Sequence, residues 1–194
     1  MKRLLTLVAT LALVVAVRAD AVTYKIDPVH SSVGFSLRHL VSKFSASFTK
    51  VEGAVTFDAA APEASSVEAT VSIGSVSTAN EKREGHLKSP DFFDEAKFPT
   101  ATFKSTAWKK TGENTFDVAG DLTIKGVTKP VTLQVTLLGT GPGMGGATVS
   151  GWEATTKINR NDFGVSYGPK ILGDEVTLNI AIEAGHKPAA AAKS

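Results

Sequence analysis

Side chains that could do chemistry are few and scattered in this chain. Four histidines occur, His30, His39, His86 and His186, and their spacing matches no metal-ligand pattern. His30 and Ser31 are neighbours, but adjacent residues of a strand point to opposite faces and cannot share a proton there. Ser31 therefore reads as a strand-start residue. Glu81, Arg83 and Glu84 read as a solvated helix face, and Asp91, Asp94 and Glu95 as helix-terminus charges rather than paired catalytic carboxylates. The run Asn159-Arg160-Asn161-Asp162-Phe163-Gly164 holds more polar side chains than a strand end requires. Two readings of Arg160 stand side by side: it pairs with Asp162 to shape a corner, or its planar fork meets an anionic head group. The sequence contains no nucleophile elbow, no His-Glu-x-x-His helix and no phosphate loop, since the glycine-rich stretch from Gly139 to Gly146 is not followed by Gly-Lys-Ser/Thr. The expectation is a protein without metal or cofactor that is not an enzyme.

The elements that would position these residues are strands. Val67, Ala69, Val71 and Ile73 alternate with polar residues, as do Phe116, Val118, Gly120, Leu122 and Ile124. The same period recurs at Val131, Leu133, Val135 and Leu137, and at Val176, Leu178, Ile180 and Ile182. Val33, Phe35 and Leu37 form another row, and Val51, Val55 and Phe57 a looser one. A period of two turns one face to a core and the other to water. With Thr102–Trp108 and Thr148–Ile158, about eight strands are expected. Thr78–Leu87 and a segment beginning at Ser89-Pro90-Asp91 are expected to form two short helices. Gly139–Gly146 is expected to be a mobile hairpin tip. Amphipathic strands with short turns close into a barrel or stack as a sandwich, and periodicity alone does not choose.

Composition narrows the class. Hydrophobic residues make up 42% of the 194 residues, enough for one globular domain. Lys2 and Arg3, the apolar run Leu4–Val17 and the Ala19-Asp20-Ala21 step read as a signal peptide over residues 1–21. The apolar run is shorter than the roughly 20 residues that span a bilayer. Without Lys2, Arg3, Arg18 and Asp20, the chain from Val22 onward has 18 basic and 18 acidic residues. A neutral chain gives no electrostatic reason to bind nucleic acid or an anionic membrane surface. No cysteine is present, so disulfides, thiolate chemistry and an N-terminal lipid-anchored cysteine are excluded. The Ala-rich stretch 185–194 reads as a disordered tail.

Five segments in order resemble the YceI-like family. They are Ile26–Phe35 with Arg38-His39, Arg83–Asp94, Phe98–Phe103, Gly120–Pro130 and Ile158–Gly164, spread over roughly Val22 to Ala184. Three features depart from the family pattern. Tyr24 stands where Trp is common, Glu84 where Asp is frequent, and the Gly139–Gly146 loop is particular to this chain. The resemblance implies an all-β fold, an extended antiparallel eight-stranded lipocalin-like barrel with a short helical insertion around 78–95, as the domain 22–184. It also implies an internal pocket for a long apolar lipid in the periplasm or outside the cell: a polyprenyl phosphate, an isoprenoid quinone or a fatty-acyl chain.

On that reading Phe35, Leu37, Phe103, Leu122, Ile124, Leu133 and Val135 line the sleeve or simply fill a core. His39, Arg83, His86, Arg160 and Asp162 stand near the head group. The expected partner is that lipid; nucleic acid and a transmembrane segment are not expected, and a homodimer stays open. An exported enzyme of isoprenoid or quinone metabolism and a solid-cored interaction module are the rival classes.

Overall fold

The computed structural model describes residues 21–188, so the expected signal peptide, but for its last residue, and the end of the expected tail lie outside the described residues. Among the described residues there are eleven strand segments in one antiparallel sheet: β1 (Val22–Ile26), β2 (Ser32–His39), β3 (Ser42–Phe48), β4 (Val51–Phe57), β5 (Ser66–Ser72), β6 (Val76–Ser77), β7 (Thr100–Lys110), β8 (Thr115–Ile124), β9 (Val127–Pro142), β10 (Thr148–Asn159) and β11 (Leu172–His186). Three staves of the sheet are each interrupted once. β1 continues as β2, β3 as β4 and β5 as β6, because β2 and then β1 pair along β11, β3 and β4 pair back on β2 and β1, and β6 and β5 follow. Five uninterrupted strands complete the ring. The result is a closed eight-stranded antiparallel barrel in up-and-down order. It settles what periodicity left open, since the ring closes where β1 pairs with β11; an edge remains beside β3 and β6, where β6 pairs with β3 alone.

The alternating rows face inward as expected. Phe116, Val118, Leu122, Leu133, Val135 and Trp152 are all buried. The interior is filled unevenly. At one end Phe57, Trp108, Phe116 and Trp152 pack in tilted and edge-to-face pairs with centroids 5.0–6.2 Å apart. The other end is lined by Phe35, Phe48, Ile73, Val76, Leu87, Phe92, Val165 and Val176.

Several local expectations change. The helix α1 runs Glu81–Lys88 and starts late, because Ala79 takes a left-handed φ of 56° and Asn80 is the cap, accepting from the Arg83 N–H at 2.9 Å. No second helix follows Ser89. Asp94 takes a φ of 52°, and the Phe93 N–H turns back to the Leu87 carbonyl at 3.0 Å. The first half of the expected Gly139–Gly146 loop is strand: β9 runs through Pro142, and the Gly143 N–H closes the turn onto the Ala147 carbonyl at 2.8 Å. β11 reaches His186, two residues past the expected boundary. There the ring Nδ1 bonds the Thr23 carbonyl at 2.9 Å, so His186 belongs to the sheet.

The break between β1 and β2 is bridged by side chains. Ser31 Oγ donates to the Glu183 carbonyl at 3.2 Å and accepts its N–H at 3.1 Å, taking the place of a missing ladder pair. Asp27 accepts the Val29 N–H at 2.8 Å and pairs with His30 Nδ1 at 3.0 Å. That pairing, with the charges of Asp27 and Glu183, raises the pKa of His30 above its ordinary 6.5. The same bond and the Val29 N–H lower that of Asp27 below 3.8. Gly53 lies in β4 with a φ of 139°, where a Cβ would overlap the Glu68 carbonyl of β5. Only glycine fits this close approach.

Three outcomes are expected. Gly53→Ala should cost about 3 kcal/mol or more, read as a shifted urea midpoint, because both backbone conformation and space forbid the methyl. The protonated His30 should add a small increment of stability, complete below pH 6.5 and lost as pH rises through its raised folded value. Asp27 should add an increment present above pH 3.8 and lost as pH falls through its lowered value. Thermal melts across pH should show the alkaline-side loss in the wild type and its disappearance in His30→Gln.

Candidate functional site

The open end of the barrel holds a cavity of about 580 Å³. Its walls come from β2 (Phe35, Leu37), β3 (Phe44, Phe48) and β11 (Val176, Leu178), with Ile124 and Ile158 opposite. Its cover is α1 through Leu87, the turn carrying Phe92 and Phe93, and the segment Phe163–Leu172. A second void of about 120 Å³ lies deeper, among Phe103, Leu122, Leu133, Val135 and the aromatic end. Leu178 borders both.

Amphipathic alternation explains the walls, and aromatic side chains set their shape. Phe44, Ala46 and Phe48 share one face of β3. Phe35 meets Phe44 at 6.2 Å and Phe48 at 5.5 Å, and Phe48 meets Phe93 at 5.5 Å. These rings pack against one another along the wall.

The mouth is polar and cationic. His39, Lys43, Arg83 and His86 are exposed there, and none of the described residues lining the cavity is acidic. Arg83 lies over the Phe44 ring at 4.9 Å and donates to the Thr78 carbonyl at 2.7 Å. Glu84, expected on a solvated face, reaches back instead. Its carboxylate accepts the Thr78 N–H at 2.6 Å, which lowers its pKa and fastens the start of α1. His86 bonds Asp91 at 2.9 Å and packs edge to face on Phe92 and Tyr167, at 5.0 and 4.9 Å. Asp91 is thus the partner of a histidine rather than a helix-terminus charge.

Arg160 resolves differently from both readings of it. It is buried, and its guanidinium donates to the carbonyls of Gly173 (2.9 Å), Val165 (2.7 Å), Tyr167 (2.8 Å) and Leu172 (3.4 Å), and to Asp174 (3.4 Å). It touches the cavity, but its donors are spent on tying the covering segment to β11. Asp162 is not its partner: it is exposed on the 3-10 turn Arg160–Phe163 and does not line the cavity.

The expected site residues therefore divide. Phe35, Leu37, His39, Arg83, His86, Ile124 and Arg160 meet at the large cavity. Phe103, Leu122, Leu133 and Val135 lie around the small one, where the Phe103 ring lies so close to Gly120 that a Cβ there would collide with it. Of the four histidines, His30 sits apart at the β1–β2 corner and His186 at the end of β11, while His39 and His86 share the mouth. Sequence reasoning missed Phe44 and Phe48, whose alternation across Ser42–Phe48 was a readable signal. Val176 and Leu178 were read as strand but not as site. Tyr167 and Ile171 lie in an irregular segment with no periodic signal.

Replacing Arg160 by Lys should cost about 2–4 kcal/mol, because one ammonium cannot serve carbonyls on both sides of the covering segment and buried acceptors are left unpaired. Thermal melting measures the loss, and proteolysis should then cut first within Val165–Leu172.

Comparison with known proteins places this geometry. The model of the YceI-like domain matches residues 24–184. A UPF0312 protein of Pseudomonas putida is 42% identical over 175 residues, covering 89% of this chain and 91% of its own. The crystal structure of BcnA from Burkholderia cenocepacia is similar with a TM-score of 0.75 and 28% identity, over 82% of this chain and 99% of that one. A polyisoprenoid binding domain from Saccharophagus degradans shares the fold alone, with a TM-score of 0.67 and 16% identity over 86% of this chain and 99% of its own.

Proposed function

Because this chain belongs to the YceI-like family, we propose that it is a non-catalytic binding protein of the cell envelope that holds one long apolar lipid inside its barrel. The observation that carries the reading is the cavity of about 580 Å³, walled mainly by apolar side chains and with its exposed cations at the mouth. Its size is that of a small-molecule site. A lipid tail gains about 0.8 kcal/mol for each CH₂ removed from water, and a chain of a few tens of carbons outweighs the cost of association. The Saccharophagus degradans domain, by its description a polyisoprenoid binder, supports a guest of the same kind.

Polarity orients the guest. Its tail lies toward Leu178, and its head meets Lys43, Arg83, His39 and His86. A phosphate or carboxylate head suits them best, and a quinone head is served by their N–H donors. Arg160 acts by holding the cover, and Asp162 has no part. An enzymatic reading finds little support at the mouth. His86 is engaged by Asp91, and Ser42, the hydroxyl beside His39, donates to the His39 carbonyl at 3.1 Å instead of to an imidazole. A solid-cored interaction module is disfavoured by the cavity itself. Export to the periplasm, through a leader at residues 1–21, accords with a lipid-handling role in the envelope.

Organic extraction and mass spectrometry of protein purified without detergent should recover one long-chain lipid per chain. Protein that is clean of lipid, and that also takes up no prenyl phosphate when challenged, would defeat this reading.

A further inference from the structure

The β2–β3 hairpin ends in Leu40 and Val41, the two residues between the paired His39 and Ser42. Both are apolar and both face water: Val41 is 103% exposed and Leu40 52%. The turn also holds Leu40 at a φ of 51°, a left-handed conformation that suits glycine or asparagine and that a leucine adopts at a cost. Neither burial nor backbone preference accounts for Leu-Val at this position.

The tip does not stand alone. The Leu40 N–H donates to the Ile171 carbonyl at 2.8 Å, tying the tip to the covering segment. Ile171 and Tyr167 of that segment are themselves 47% and 48% exposed. His39, Ser42, Tyr167 and Ile171 all line the large cavity, so the apolar patch forms part of its rim. Along the tip and the covering segment the charge has one sign. Residues 38–43 and 164–172 contain Arg38, His39, Lys43 and Lys170 and no acidic residue. Asp91 and Asp174, close to this rim, are held by His86 and Arg160. The balance of 18 basic and 18 acidic residues over the whole chain hides this local excess.

We propose that this rim docks on the surface of an anionic lipid bilayer. Leu40 and Val41 enter the boundary between head groups and acyl chains, with Ile171 and Tyr167 beside them, while Arg38, Lys43 and Lys170 meet lipid phosphates. An exposed apolar patch within a cationic border fits that surface. The strained turn is then explained by what it presents. Docking stands on the tip and its charges alone; with the lipid-holding reading above, it sets the cavity mouth against a membrane.

Sedimentation with vesicles tests the proposal, using pure phosphatidylcholine and an equal mixture of phosphatidylcholine and phosphatidylglycerol. The wild type should pellet with the mixture, much less with phosphatidylcholine, and be released by salt. Val41→Asp should weaken partitioning about tenfold or more, and Lys170→Glu about fivefold. The double variant L40N/V41S, which relieves the turn, should melt no lower than the wild type yet lose binding, separating docking from folding. Wild-type protein that stays in the supernatant with anionic vesicles would overturn the proposal, as would variants that pellet equally well. If light scattering shows a dimer that Val41→Asp dissolves, with no vesicle binding, the rim serves a second copy of the chain and the proposal fails.

Discussion

Closure of the ring along β11 is the constraint from which the rest of the molecule follows. β11 pairs on one side with β10 along nearly its whole length, and on the other with β2 and then β1. Because the second partner is broken at Asp27–Ser31, the ladder is completed there by the Ser31 hydroxyl and by the Asp27 N–H on the Glu183 carbonyl at 2.9 Å. With the seam closed, the ladder runs on from β11 into β2 and β1 and the interior is left to side chains. The same strands form the cavity wall: Phe35 and Leu37 from β2, Val176 and Leu178 from β11. Seam and site are therefore one structure seen from its two faces.

A ring of eight strands fixes a bore, and this chain fills that bore at one end only. The quartet of Phe57, Trp108, Phe116 and Trp152 supplies enough volume to occupy the lower barrel, leaving a residual void of about 120 Å³. At the upper end the phenylalanines pack along the wall, and the gap persists at about 580 Å³. Close packing is the rule for protein interiors, so an apolar space of this size is a feature that the surrounding structure must support. The support comes from a polar device. Arg160 binds four carbonyls and Asp174 from a buried position and keeps the covering segment against β11. α1 is held comparably, by Asn80 and Glu84 at its start and by Leu87 as its buried residue.

The polar groups sort by depth. Below the mouth the lining is apolar; at the mouth it is cationic; on the rim beyond, apolar tips stand among cations. This gradient gives a guest with an apolar tail and a polar head a single sensible orientation. It also fits the rim to the docking on lipid proposed above. Neither property depends on the net charge of the chain.

Alternation of apolar residues made the strands legible, since it depends only on neighbouring residues pointing to opposite faces. Rows such as Phe116–Ile124 and Val176–Ile182 are strands as read, and the absence of cysteine and of catalytic motifs needed no fold to be seen. Turn chemistry was less legible: left-handed conformations at Ala79 and Asp94 shortened the helical region in a way their residue types do not announce. What lay wholly outside the sequence was whatever depends on contacts between distant segments. Phe35 and Leu122 have the same inward pattern, yet one borders a large cavity and the other a nearly filled core. Arg160 sits in a visibly polar run, but its partners lie up to 14 residues away and are mostly carbonyls, which carry no sequence signal. Local pattern determined the elements and which face each buries; only ring closure decided where side-chain volume runs out, because that is a sum over eight staves at once.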